Sequence, residues 1–541
     1  RLAWAAGPRR SPRLLCLGFR LGPGHTSTAS WKLVWQPVAI VAMNVISNLW
    51  LGLETAVSLN NLAFCLIGVF LGTAIGVLPG LGPVATISIL LPITFGLSPV
   101  ASLIMLAGIY YGAQYGGSTS AILVNVPGEP SSVVTALEGY KMAQRGMAGR
   151  ALATAAIASF FAGTVSTFLI VLFSPPLAEF AVQFGPAEYF SLMLLGLVAS
   201  IVLAHGSLFH ALAMIVLGLL LGLVGGDINS GIARFTFGVP ELGDGLGFVV
   251  VAMGIFGIAE IVGNLEHEKT RSAVTKTITS LFPTREDWQR MIAPTLRGTT
   301  LGSALGILPG GGAMLASFAT YALEKKVSKH RKEFGNGAIE GVAGPESANN
   351  AAAQTSFIPM LTLGIPSNPV MALMIGALII HGIQPGPMVM TEQPALFWGL
   401  IVSMWIGNLL LLAINLPLLG LWVRMISIPY HFLYPAILAF CVIGAFSLNN
   451  TTFDVYVLSV FGALGYFLNK IGCEPAPMLL GFVLGPMIEE HLRRALLLSS
   501  GDPMIFVTRP LSGAMIIAAL VLLALVLMPA IRQKREEAFQ E

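Results

Sequence analysis

Two strings rich in glycine and proline have the residue types to hold an anion. Gly72–Pro83 reads GTAIGVLPGLGP and Gly302–Ala313 reads GSALGILPGGGA, each inside apolar sequence. Proline removes a backbone donor and disrupts the preceding helical turn. Glycine lets the chain turn sharply and come close to a ligand. A helix broken at Pro79 or Pro309 leaves free N–H groups and the positive end of a helix dipole, which suit a carboxylate. Gly80, Gly82, Gly310 and Gly311 are the expected tips of these half-helices. Neither string continues into Gly-Lys-Ser/Thr, so neither is a nucleotide-binding P-loop.

A second pair of matched breaks lies nearby: STSAILVNVPGEPSS (Ser118–Ser132), interrupted at Pro130, and QTSFIPMLTLGIPSN (Gln354–Asn368), interrupted at Pro366. Ser118, Thr119, Ser120, Asn125 and Ser131 in the first, and Thr355, Ser356, Ser367 and Asn368 in the second, offer hydroxyl and amide contacts without the cost of burying a full charge. Hydroxyls also bond along or between membrane helices, so Asn125 and Asn368 are the stronger candidates. Gly344–Asn350 (GPESANN) reads as a helix start, with Pro345 in the first turn and Glu346 at the positive end. Asn349 and Asn350 then enter apolar sequence, as part of a surface cap or of a gate or coupling-ion site. Charges inside apolar segments are functional by default, and few occur. Glu129 is the one acidic candidate for substrate or proton work, Glu260 reads as snorkelling at a span end, and Asp454 as opening a span. No Lys or Arg stands out as a carboxylate partner, which leaves an anionic substrate to dipoles, amides and co-transported cations.

Enzyme signatures such as H-E-x-x-H and G-x-S-x-G are missing. The eight histidines do not cluster, and Cys16, Cys65, Cys441 and Cys473 are scattered without metal-ligand spacing. The reading is therefore a protein that is not an enzyme, needs no cofactor or bound metal, and moves Na⁺ or H⁺ with its substrate.

The elements that must carry these residues are membrane helices. The chain is 55% hydrophobic and 10% charged, with a mean hydropathy of +0.80, against about 25% charge in soluble domains. A net charge of +3 is too small for a nucleic-acid partner. Candidate spans are 61–77, 152–173, 189–204, 207–225, 246–263, 395–421, 433–448, 453–469, 476–489 and 511–530, with partial or full crossings in 78–95, 100–135, 299–323 and 354–380. At about 20 apolar residues per crossing, the expectation is an all-α polytopic membrane protein of about ten to twelve crossings.

Basic residues cluster at Lys141/Arg145/Arg150, Lys269–Arg297, Lys325–Lys332 and Arg532–Arg535, and all four read as cytoplasmic. The segment after the second LPG break runs into a basic loop, whereas its counterpart ends at Phe95–Ser98 without Lys or Arg. The relation reverses at the second breaks, where 138–150 is basic and His381–Gln393 is not. Equivalent loops on opposite sides are the charge signature of two inverted-topology repeats built on broken, re-entrant helices. The halves are read as 43–263 and 299–541, joined by a cytoplasmic linker at 264–298 in which Pro283–Trp288 looks like a helix start at the membrane surface. Arg493 and Arg494 fall outside on this count. Residues 1–42 read as disordered or as an over-extended start of translation, and less readily as an Arg-rich targeting leader.

At GVLPGLGPVATISILLPITFGLSP (Gly76–Pro99), YGGSTSAILVNVPGEPSS (Tyr115–Ser132), GILPGGGAMLASFATYALEKKVSK (Gly306–Lys329) and the long string Phe334–Pro387, the chain resembles the large membrane subunit of the tripartite tricarboxylate transporter family. The resemblance runs from about Met43 to the C-terminus. It implies a permease of the bacterial inner (plasma) membrane, working with a small membrane subunit and a periplasmic solute-binding protein. Transport would be secondary, driven by an ion gradient, with no nucleotide-binding subunit. The implied substrates are citrate-like tricarboxylates or other small carboxylates. The alternatives are a stand-alone cation/carboxylate symporter and, further off, a membrane-embedded enzyme.

Overall fold

The computed structural model describes residues 45–78, 81–203, 207–227, 230–266, 282–310, 312–426, 428 and 430–527. Residues 1–42, Pro79, Gly80, Gly311 and most of the expected linker lie outside them. Apart from a two-residue antiparallel ribbon, Gly225–Gly226 with Ala233–Arg234, the regular structure is helical. The first half opens with α1 (Val45–Val57), α2 (Leu59–Gly76), α3 (Pro83–Thr94), α4 (Pro99–Val124), α5 (Val133–Gln144) and α6 (Ala148–Ala181). It continues with α7 (Pro186–Leu203), α8 (Leu208–Gly222) and α9 (Phe248–Glu266). The second half holds α10 (Arg285–Ile307), α11 (Gly312–Val327), α12 (Glu340–Thr355), α13 (Phe357–Leu363), α14 (Pro369–Ile380) and α15 (Pro394–Asn415). It ends with α16 (Tyr430–Asn449), α17 (Thr452–Lys470), α18 (Ala476–Leu498) and α19 (Pro510–Leu527).

Among the described residues, α2, α6, α9, α15 and α17 are long and apolar enough to cross a membrane, and seven shorter apolar helices accompany them. Several of these helices carry large apolar side chains on their outer faces, including Phe168, Leu172, Phe440, Ile443, Val460, Phe467, Ile517 and Leu520. Such faces are stable where lipid is the solvent, and a helix satisfies its own backbone there. The protein is an all-α polytopic membrane protein, and each expected span falls on a helix.

Both LPG strings follow a helix that packs tightly on the helix two elements later, and glycine is the reason. Without lipid-excluding force between them, membrane helices associate through small residues that let backbones touch. A Cβ on Gly68, Gly72 or Gly76 of α2 would strike the carbonyls of Met105, Ile109 and Ala113 on α4. Gly108, Gly112 and Gly116 of α4 face back at Val69, Thr73 and Val77. In the second half, Gly298, Gly302 and Gly306 of α10 lie on Gly344, Ala348 and Ala352 of α12. The sequence-matched pairs Gly72/Gly302 and Gly76/Gly306 thus do the same job in each half.

The helix start expected at Pro283–Trp288 is present. Thr284 caps α10, with its Oγ1 accepting from Asp287 N and the Asp287 carboxylate accepting from Thr284 N (2.7 Å). Two expectations are corrected. Helix α12 begins at Glu340, not at Pro345, so Glu346 lies inside the helix and is 1% exposed. Glu260 does not snorkel: it turns inward, with Oε1 3.4 Å from the N–H of Gly82.

Candidate functional site

Four of the interrupted helices begin at one cavity of about 190 Å³. Pro83 opens α3, and Gly312–Leu315 open α11. Asn368–Val370 open α14, and Glu129–Ser131 lead through one 3₁₀ turn, Pro130–Ser132, into α5; all of these line the cavity. The N-terminus of α18 joins them through Ala476 and Pro477. Each N-terminus brings N–H groups without helical partners and about half a positive charge. The sequence folds this way because proline is tolerated in a first helical turn, and Pro83, Pro130 and Pro369 each occupy one. Gly310 sits at φ +78°, a backbone state that favours glycine, and its N–H donates to Ser367 O at 2.7 Å. That bond ties the two breaks of the second half together.

Asn368 is the best placed of the expected residues. Its Oδ1 caps α14 by accepting from Met371 N at 3.0 Å, whereas its Nδ2 has no hydrogen-bond partner although the residue is only 7% exposed. A buried donor without an acceptor costs about 1–3 kcal/mol, and a ligand oxygen in the cavity would remove that cost. Ser131 donates to the Glu129 carboxylate and to Gln114 Oε1 (3.1 Å). Glu129 is 4% exposed and has no cationic partner among the described residues. No Lys or Arg is among the described residues that line the cavity.

The other expected residues divide into three groups. Asn349 and Asn350 form a buried link: Asn349 Nδ2 reaches Ser131 Oγ (3.4 Å), and Asn350 Nδ2 donates to Asn349 Oδ1 and to Ser159 Oγ (2.7 Å). Ser118 and Thr119 line a second, smaller chamber against Glu346. The rest belong to the scaffold. Ser120 bonds Gly117 O, Thr355 bonds Ala351 O and Ser356 bonds Ala353 O; Ser367 Oγ reaches Ser356 O at 3.5 Å. Gly82 is the N-cap of α3. Asn125 is the exposed C-cap of α4 at φ +57°. It stands away from the cavity because asparagine tolerates the left-handed turn that ends a helix.

Tyr110, Gln114, Ser200 and Glu474 also line the cavity and were not singled out from the sequence. Tyr110 and Gln114 had a readable signal: with Ser118 they stand four residues apart, on one face of α4. Ser200 and Glu474 had none, because tertiary packing alone brings α7 and the approach to α18 to this place.

Interrupted helices that begin at one cavity, within a bundle whose outer faces suit lipid, are the architecture of a membrane transport protein. No cluster of three His, Cys, Asp or Glu that could hold a metal ion occurs among the described residues. The chain belongs to the tripartite tricarboxylate transporter TctA family, whose model matches residues 62–480. It is 61% identical over 499 residues to an uncharacterized 52.8 kDa protein of the TAR-I ttuC′ 3′ region of Agrobacterium vitis, covering 92% of this chain and 99% of that protein. A second Agrobacterium vitis protein, of the TAR-II ttuC′ 3′ region, is 64% identical over 240 residues, 44% of this chain and 99% of its own length. No solved structure matches.

Proposed function

We propose that this transporter subunit is the permease of a binding-protein-dependent secondary transporter that takes up small carboxylates, citrate-like tricarboxylates among them, on a gradient of Na⁺ or H⁺. Its site of work is the bacterial inner membrane. It acts with a small membrane subunit and a periplasmic solute-binding protein, and with no nucleotide-binding subunit. Ten to twelve crossings fold as two inverted repeats, 43–263 and 299–541.

The convergence of four half-helix N-termini on one cavity carries this reading. Positive helix ends and free N–H groups attract carboxylates. The Asn368 amide, the Ser131 hydroxyl and the polar ends of Gln114 and Tyr110 supply orientation without a fixed counter-charge. That absence is what a transporter needs, since a site built from dipoles binds an anion weakly enough to release it. Glu129 would repel the substrate while ionised, and a proton or cation arriving with the substrate removes the repulsion.

The test is reconstitution. Liposomes holding this chain and the small subunit, with binding protein and ¹⁴C-citrate outside, should accumulate label only under an inward Na⁺ or proton gradient. No accumulation of any di- or tricarboxylate under either gradient would overturn the proposal. Accumulation without the binding protein would instead assign a stand-alone symporter.

A further inference from the structure

A second chamber, of about 20 Å³, has Tyr115, Ser118, Thr119, Ser159, Glu346 and Asn415 in its wall. One water-sized sphere needs about 10–15 Å³ of such space, so the chamber holds a single small occupant. Apolar side chains, among them Leu152 and Leu416, complete its wall. α4 and α6 of the first half and α12 and α15 of the second contribute to it.

Two features of this wall are unbalanced. The first is Glu346, which no Lys, Arg or His meets among the described residues. Its carboxylate accepts from Ser118 Oγ (2.8 and 2.9 Å), from Ser159 Oγ (3.3 Å) and from Thr135 Oγ1. Hydroxyls soften a buried charge without cancelling it, and the remaining penalty for a lone buried ion is several kcal/mol. The second is Asn415, 6% exposed. Its Nδ2 donates to Leu411 O at 3.0 Å, which fixes the amide orientation and leaves Oδ1 with no donor. A proton on Glu346 removes only the first imbalance. A cation in the chamber removes both.

We propose that this chamber is a binding site for one Na⁺, held by the Glu346 carboxylate, the hydroxyl oxygens of Ser118, Thr119 and Ser159, and Asn415 Oδ1. The proposal rests on the permease reading only in taking that ion as the coupling ion. One carboxylate among neutral oxygens balances a monovalent charge, whereas Ca²⁺ sites draw on several carboxylates. The hydroxyl protons have other acceptors, Gln114 O for Ser118 (3.1 Å) and Tyr115 O for Thr119 (3.2 Å), so both oxygens can turn lone pairs inward. The chamber is also linked to the first cavity by a chain of hydrogen bonds. Ser159 bonds Asn350, Asn350 bonds Asn349, and Asn349 reaches Ser131 beside Glu129. Drawing Glu346 and Ser159 onto an ion therefore shifts the polar floor of the carboxylate cavity, a contiguous path for coupling.

The test uses the purified full chain in detergent without substrate: ²²Na⁺ binding by scintillation proximity, and thermal unfolding titrated with NaCl against KCl and choline chloride at constant ionic strength. Wild type should bind Na⁺ saturably, one per chain, and unfold at higher temperature as Na⁺ rises. Ser118→Ala and Asn415→Leu should each weaken binding at least about tenfold, the scale seen when contacts supporting a metal site are lost. Glu346→Gln should abolish binding while unfolding normally in choline. Absence of Na⁺-specific binding to wild type overturns the site, as does wild-type affinity in Glu346→Gln or Asn415→Leu. Stability that follows pH and ignores Na⁺ overturns it in favour of a proton on Glu346. Na⁺ binding without carboxylate uptake leaves the site standing and overturns the permease reading instead.

Discussion

At the scale of single residues, Asn368 does two separable things. Its oxygen caps α14, and its nitrogen is a donor without an acceptor in the cavity wall. Asn368→Asp keeps an oxygen for the Met371 N–H, deletes the donor and adds a negative charge beside Glu129. A lost hydrogen bond to a charged ligand costs about 1.5–3 kcal/mol, so uptake by this variant should fall at least about tenfold with thermal unfolding unchanged. Asn368→Ala should lose the cap as well, at about 1 kcal/mol, and unfold earlier. Wild-type transport kinetics in the aspartate variant would remove Asn368 from the substrate site. The sequence made Asn368 legible because an amide inside an apolar stretch has no cheap explanation. Asn125 met the same criterion, but its backbone turn is the cheap explanation, and that turn becomes visible only once α4 is known to end there. Glu346 was missed as an interior charge because Pro345 reads as a helix start, while the real first turn, at Glu340, carries no proline.

At the scale of elements, the fold depends on how closely α2 and α4 approach. A Cβ on Gly112 would stand 2.6 Å from Val69 O, a backbone atom that cannot move aside, whereas Gly96 has nothing within 4 Å. Gly112→Leu should leave no monodisperse protein after detergent extraction, and Gly96→Ala should match wild type in yield and unfolding temperature. Equal behaviour of the two would sink the packing argument. The start of α10 offers a pH handle. Burial pushes the Asp287 carboxyl up, but Arg150 and the N–H and hydroxyl of Thr284 more than offset this and hold it below its ordinary value. A depressed folded value stabilises the protein above the unfolded value, about 3.9, and is lost as pH falls through the folded one. The unfolding-temperature gap between wild type and Asp287→Asn should thus be full at neutral pH and close only in strong acid. Helix positions were readable from apolar run length alone. The interlocked glycines of α2 and α4 were only half readable, since a GxxxG face names a contact without naming its partner.

At the scale of the whole molecule, the proposed inversion of the halves has a geometric consequence. If the halves are inverted copies, the end of α3 must meet the end of α14, and the end of α11 must meet the end of α5. Two contacts in the structure are of this kind. Ser102, just past α3, lies 3.0 Å from His381 at the end of α14. Past α11, the N–H groups of Gly335, Gly337 and Ala338 all donate to Glu138 of α5, whose side chain also takes the Tyr321 hydroxyl. The second meeting gathers basic loops, with Arg150 on Asp287 and Arg290 on Glu333 and Glu340 beside it, as expected of a cytoplasmic face. Arg493 and Arg494, which ran against the charge count, are paired with Asp227 and Glu489 and with Glu490. Single cysteines placed in a background without native cysteines would settle the arrangement. Arg145→Cys and Lys329→Cys should react with an impermeant maleimide only from the cytoplasmic side, and Gly96→Cys and Gln384→Cys only from the other. Labelling of Gly96→Cys and Lys329→Cys from one side, and of Arg145→Cys and Gln384→Cys from the other, would mean that the halves run in the same sense. The helix ends that face one another across the cavity would then need another origin than inverted duplication.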